Sequence, residues 1–163
     1  MPEKQQNLPP LPPGGYDVKA MRAVFADDRV AEGMGVVIDS VADGGAVCSM
    51  QAGPQHLNAT GAVQGGAVYT LADVAFSVAA NSLYPVTVTL NSDLHFLRPL
   101  TEGRLLARAT PVSHTKRTCV YQVEVFGADG ARAALGTFTG YTRKPGKQAD
   151  KNGNSGREGR LEE

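Results

Sequence analysis

The stretch from Gly65 to Ser82, GGAVYTLADVAFSVAANS, constrains this chain more than any other, because its single charged side chain, Asp73, sits among apolar neighbours. Val68, Leu71, Ala72, Ala75, Phe76 and Ala79 fall on one stripe at helical spacing, and Val74 and Val78 widen that stripe on one flank. The segment therefore reads as one long, largely buried helix. Its remaining line holds Tyr69, Asp73 and Ser77 at the four-residue spacing that stacks side chains along one edge. A carboxylate there costs on the order of a few kcal/mol unless it finds hydrogen bonds, water or a charged partner. That cost makes Asp73 a candidate reactive group.

Everything after this helix reads as strand. Val86–Phe96, Arg104–Val112, Thr118–Phe126 and Ala131–Tyr141 are rich in β-branched and aromatic residues, with the turn-forming Gly127-Ala128-Asp129-Gly130 between the last two. Before the helix, Met34–Ile38 and Gly45–Met50 read as a hairpin turning at Asp43-Gly44. Asp17 to Ala26 has the periodicity of a short amphipathic helix, suited to covering a sheet edge. Two strands, one long helix and a run of antiparallel strands make an α+β chain, and a sheet wrapped around the helix satisfies that order without long crossovers.

The 163 residues suffice for one domain with a core, here residues 16–144. Residues 1–15 are expected to be a flexible leader, because the run Leu8–Gly15 is mostly proline and glycine. Residues 145–163 are expected to be a disordered charged tail, having almost nothing apolar to bury. Sixteen basic and sixteen acidic residues cancel, so no global field draws the chain to nucleic acid or an anionic membrane. The start lacks the apolar run of a secretory signal, and no stretch has the length and apolarity of a membrane span. Cys48 and Cys119 stand singly in apolar stretches and read as reduced core thiols. Together these features give the expectation of a cytoplasmic protein. The three histidines have no metal-ligand spacing, so no metal is expected.

The loop before the helix, His56-Leu57-Asn58-Ala59-Thr60-Gly61-Ala62-Val63-Gln64-Gly65-Gly66, ends in paired glycines where the helix begins. Helix-initial amides have no intrahelical partner, and the helix dipole adds partial positive charge there. Such amides can polarise a carbonyl and stabilise the oxyanion formed from it. A phosphate loop is excluded, since the lysine of that motif is missing.

Taken together, His56, Asn58, Gly61, Gln64-Gly65-Gly66, Leu71-Ala72-Asp73, Ala75-Phe76, Ala80-Asn81-Ser82 and Phe96-Leu97-Arg98-Pro99 resemble the hotdog-fold thioesterases of the phenylacetic-acid-degradation type. The resemblance implies a hotdog fold, hydrolysis of acyl-CoA thioesters, and a homodimer that joins sheets edge to edge, with dimers pairing again into a tetramer. It places the active site at the dimer interface, with no cofactor beyond the coenzyme A of the substrate. By position, Asp73 matches the catalytic carboxylate of that family, Gly65 its carbonyl-polarising amide and Asn58 its loop asparagine. Thr89 falls where related enzymes place a hydroxyl that orients water. Many relatives have histidine before the paired glycines; Gln64 stands there, which hydrogen-bonds but does not change charge near neutral pH.

Further candidate contacts to the acyl-CoA are Gly66, His56 and Tyr69 near the helix, and Lys116, Arg117 and Arg143 for the phosphates. His95 is expected to pack in its strand, and Arg98 to end a strand or to salt-bridge at a subunit interface. Two alternatives share the fold: an acyl-CoA-binding protein without turnover, and a hydratase or dehydratase, whose chemistry favours a histidine where Gln64 stands.

Overall fold

The computed structural model describes residues 10–143. The elements are α1 (Val18–Val24), α2 (Arg29–Gly33), β1 (Val36–Ala42), β2 (Gly45–Ala52), α3 (Gly65–Leu83), β3 (Thr87–Phe96), β4 (Gly103–His114), β5 (Thr118–Phe126) and β6 (Arg132–Thr142). A 3-10 turn at Pro54–His56 lies between β2 and α3. The expected charged tail and the first nine residues of the expected leader fall outside the described residues.

Helix α3 starts at Gly65 because Gln64 is extended and caps it, the Gln64 side chain accepting from the Ala67 amide. It stops at Tyr84, the residue before Pro85, where proline disfavours helical backbone. Leu71, Phe76 and Val78 are fully buried, and five alanines on the helix let the sheet come close. Burying a side chain the size of Phe76 contributes about 2–3 kcal/mol.

Around α3 wraps one six-stranded antiparallel sheet in the order β1-β2-β4-β5-β6-β3, the α+β hotdog arrangement expected from the sequence. β5 shows why: Cys119, Tyr121, Val123 and Val125 alternate inward and are buried against the helix. The Phe76 ring meets Tyr121 edge-on, with centroids 5.5 Å apart, and Phe138 at the same distance. Both cysteines are buried free thiols, and burial pushes Cys48 up to about 12. Asp43 and Gly44 both adopt positive φ, 51° and 72°, as a two-residue hairpin requires.

The N-terminal segment differs from expectation in one respect. The strand expected from Met34 begins at Val36, because a second short helix precedes it, with Asp28 accepting from the amides of Val30 and Ala31. Helix α1 covers the β1 edge as expected, and Arg22 donates to the Ile38 carbonyl through Nε and Nη2 at 2.9 and 2.6 Å. Among the described residues no helix is long and apolar enough to cross a membrane.

Candidate functional site

The loop between β2 and α3 is folded by its own polar groups. His56 is buried, and its Nδ1 accepts from the Gly53 amide at 3.0 Å while its carbonyl accepts from the Gln64 amide at 2.8 Å. His56 Nε2 is also buried and has no hydrogen-bond partner among the described residues. Asn58 Oδ1 accepts from the Thr60 amide, the Thr60 hydroxyl and the Ala62 amide, and Gly61 turns the chain at φ 81°. The loop therefore delivers the start of α3 rigidly. The amides of Gly65 and Gly66 occupy the first two helical positions, which have no carbonyl to bond within the helix. The Phe96 ring lies 3.5 Å from the point where a side chain on Gly65 would begin. At Gly66 a Cβ would come within 2.6 Å of Gln64 Oε1, so this glycine makes room for the cap.

Two turns further along α3, half-buried Asp73 accepts a hydrogen bond from the Thr89 hydroxyl at 2.8 Å. Burial pushes the Asp73 carboxyl above the usual carboxylate range; the Thr89 bond pulls it down, and the negative charge of Asp28 pushes it up again. One turn before Asp73, the Tyr69 hydroxyl bonds Ser92 at 2.5 Å, and its ring packs 5.8 Å from that of Phe138. Asp28 is the residue near the carboxylate that the sequence did not reveal. Its capping role is legible in Asp28-Arg29-Val30-Ala31, but only folding brings α2 against α3.

Gly65 and Asp73 stand eight residues apart on one helix, hence about 12 Å apart along its axis. A carbonyl can touch an amide donor and a carboxylate only when each lies about 3 Å away, so these two groups of one chain do not meet on a single thioester. The cations gather elsewhere. Lys116 and Arg117 lie on the β4–β5 turn, Thr142 donates its amide to the Arg117 carbonyl, and the Arg143 amide bonds Val86 near the C-terminal end of α3. Arg117 Nη1 also bonds the Tyr141 hydroxyl at 2.6 Å. Two surface cavities among the described residues, of about 260 and 160 Å³, border the β1–β2 hairpin rather than Asp73.

Residues 60–134, which hold the end of this loop, α3, the hydroxyl-bearing strand β3 and most of the sheet, match the sequence profile of the Thioesterase superfamily. The acyl-coenzyme A thioesterase PaaI of Escherichia coli (strain K12) is 34% identical over 125 residues, covering 76% of this chain and 88% of that protein. The chain belongs to the thioesterase superfamily. Solved structures agree with this. The PaaI protein of the E. coli phenylacetic acid degradation operon superposes on this thioesterase with a TM-score of 0.73 at 31% identity, covering 76% of this chain and 90% of that one. A hypothetical thioesterase from Streptococcus pneumoniae, solved with coenzyme A, gives 0.69 at 25% identity, covering 75% and 96%.

One expectation for the thioesterase is corrected. His95 does not pack in the sheet: it faces outward beside Asp93 at 3.3 Å, because β3 is an edge strand whose outer face is uncovered. Arg98 follows the end of β3, as one of its two readings had it, and pairs with Asp129 at 2.5 Å and with the carbonyl of Ala131, tying the end of β3 to the β5–β6 turn. Among Tyr69, Phe76, Leu83 and Tyr84, Tyr69 stands one helical turn before Asp73 on the same edge of α3. Phe76 is sealed in the core, Leu83 backs the Gly15 and Gly44 turns, and Tyr84 stacks on His114. Among the described residues no three His, Cys, Asp or Glu side chains gather closely enough to hold a metal ion.

Proposed function

We propose that this thioesterase hydrolyses acyl-CoA thioesters, of aryl-acyl or short to medium-chain acyl groups, to free acid and coenzyme A, with Asp73 as the reacting carboxylate. The observation that carries the reading is the Thr89–Asp73 pair, which holds one carboxylate half-buried on an otherwise uncharged helix. Asp73 either attacks the thioester carbonyl, expelling the thiolate and leaving an acyl anhydride for water to cleave, or takes a proton from a water that attacks it. In both routes the carbonyl oxygen becomes an oxyanion, and the Gly65 amide is its donor, with Gly66 and Asn58 beside it. Gln64 caps the helix that presents those amides, and His56 braces the loop.

The distance of about 12 Å between Gly65 and Asp73 calls for a second subunit. The edge strand β3 is suited to the pairing, since Val88 and Leu90 are exposed along it. In such a homodimer the Gly65 amide of one protomer serves the Asp73 of the other, and dimers pair again into a tetramer. Lys116, Arg117 and Arg143 are the cations for the phosphates of coenzyme A, and no further cofactor takes part. The reaction belongs to the cytoplasm, where acyl-CoA is made and used.

Thiol release from aryl-acetyl, hydroxybenzoyl and straight-chain acyl-CoA esters tests the reading, with wild type beside Asp73→Asn. A wild-type rate that falls about a hundredfold or more in the variant is expected. Saturable binding without hydrolysis would replace the enzyme by an acyl-CoA-binding protein. In a single turnover in labelled water, label in the Asp73 carboxyl or an acyl-Asp73 anhydride trapped with hydroxylamine selects direct attack, and a turnover that gives neither selects the water route.

A further inference from the structure

Side chains alternate along a regular strand, so residues 89 and 92 should face opposite sides of the sheet. In β3 they face the same side: Thr89 reaches Asp73 and Ser92 reaches Tyr69, both on α3. The register gives the reason. Thr89 pairs with Gly140 and Asn91 with Thr139, leaving Leu90 as the extra residue of a bulge. Tyr69 and Asp73 are one helical turn apart, so the two bonds form parallel rungs between α3 and β3, one on each side of the bulge. Among the described residues β3 pairs with β6, and Leu90, 63% exposed, stands outside that register, so the two rungs tie the strand to the helix on either side of its unpaired residue.

We propose that the Tyr69–Ser92 bond is a positioning clamp: it holds the bulged segment of β3 so that the Thr89 hydroxyl stays on Asp73, and acts on thioester hydrolysis through Thr89 without touching the thioester. The proposal rests on the reading of Asp73 as the reacting carboxylate. The ring of Tyr69, seated against Phe138, aims the hydroxyl, and the Ser92 hydroxyl meets it just beyond the bulge.

The experiment compares kcat and KM for the best acyl-CoA ester in wild type, Tyr69→Phe, Ser92→Ala, the double variant, Ser92→Thr, and Ser92→Ala in a Thr89→Val background. Each single loss of the clamp is expected to lower kcat about fivefold with KM within about twofold, and the double variant to lose no more than either single. Ser92→Thr keeps a hydroxyl and restores kcat. In the Thr89→Val background, Ser92→Ala is expected to change nothing further, because the group it acts through is gone. An equal loss with and without Thr89, or wild-type kcat in Tyr69→Phe and Ser92→Ala, overturns the clamp while leaving Asp73 in place. A wild-type chain that hydrolyses no acyl-CoA overturns the clamp together with the functional reading.

Discussion

Thr89 on the edge strand donates its hydroxyl to Asp73 in the middle of the central helix, across 2.8 Å and sixteen residues of sequence. The bond stabilises the ionised carboxylate against a burial that favours the neutral acid. Thr89→Val removes the donor and keeps the shape. The Asp73 carboxyl then rises, so the acid limb of the kcat/KM profile moves to higher pH, whereas Thr89→Ser leaves it close to wild type. A limb that stays in place in the valine variant would show that Thr89 does not set the charge of Asp73.

Asp28 acts in the opposite sense. Its charge opposes ionisation of Asp73, and its side chain caps α2. Asparagine caps a helix about as well as aspartate, so Asp28→Asn removes the charge at a stability cost within about 0.5 kcal/mol. The acid limb is expected to move to lower pH with the melting temperature nearly unchanged. Equilibrium denaturation beside the pH profile checks both parts.

Ionising Asp73 costs stability, because its carboxyl is half-buried. Its folded-state pKa is raised, so its stabilising contribution is fully present below the unfolded carboxyl value and is lost as pH rises through the folded one. Asp73→Asn has no such loss. Thermal melts are expected to show the variant more stable than wild type near pH 7, with the difference vanishing below about pH 4. Equal pH dependence in the two proteins would mean that burial does not oppose the charge.

Gly136 keeps β3 in place. A Cβ there would stand 2.2 Å from the Asp93 carbonyl oxygen and 2.9 Å from Leu94 Cα, both backbone atoms of β3. Gly136→Ala must therefore push the edge strand off β6, at a cost of about 1–3 kcal/mol by the usual scale of overpacking. Because the displaced strand carries Thr89 and Ser92, turnover is expected to fall with stability. Urea denaturation and thiol release measure the two; a fully stable and active alanine variant would contradict this packing.

Hydrophobic periodicity and turn chemistry determined much of this protein before folding is considered. The stripe on Gly65–Ser82 marked the helix to within one residue of its end at Leu83, Asp43-Gly44 and Gly127–Gly130 marked their hairpins, and an acidic residue on an apolar helix singled out Asp73. These signals are local, because helix and strand periods repeat over a few residues and a misplaced charge stands out against its neighbours. Tertiary structure decided what no local window contains: Asp28 comes beside Asp73 because α2 packs on α3, His95 turns outward because β3 ends the sheet, and Ser92 joins Thr89 on the helix side because Leu90 is bulged. Those outcomes depend on which strand pairs with which and in what register. Contacts between residues far apart in the chain set both.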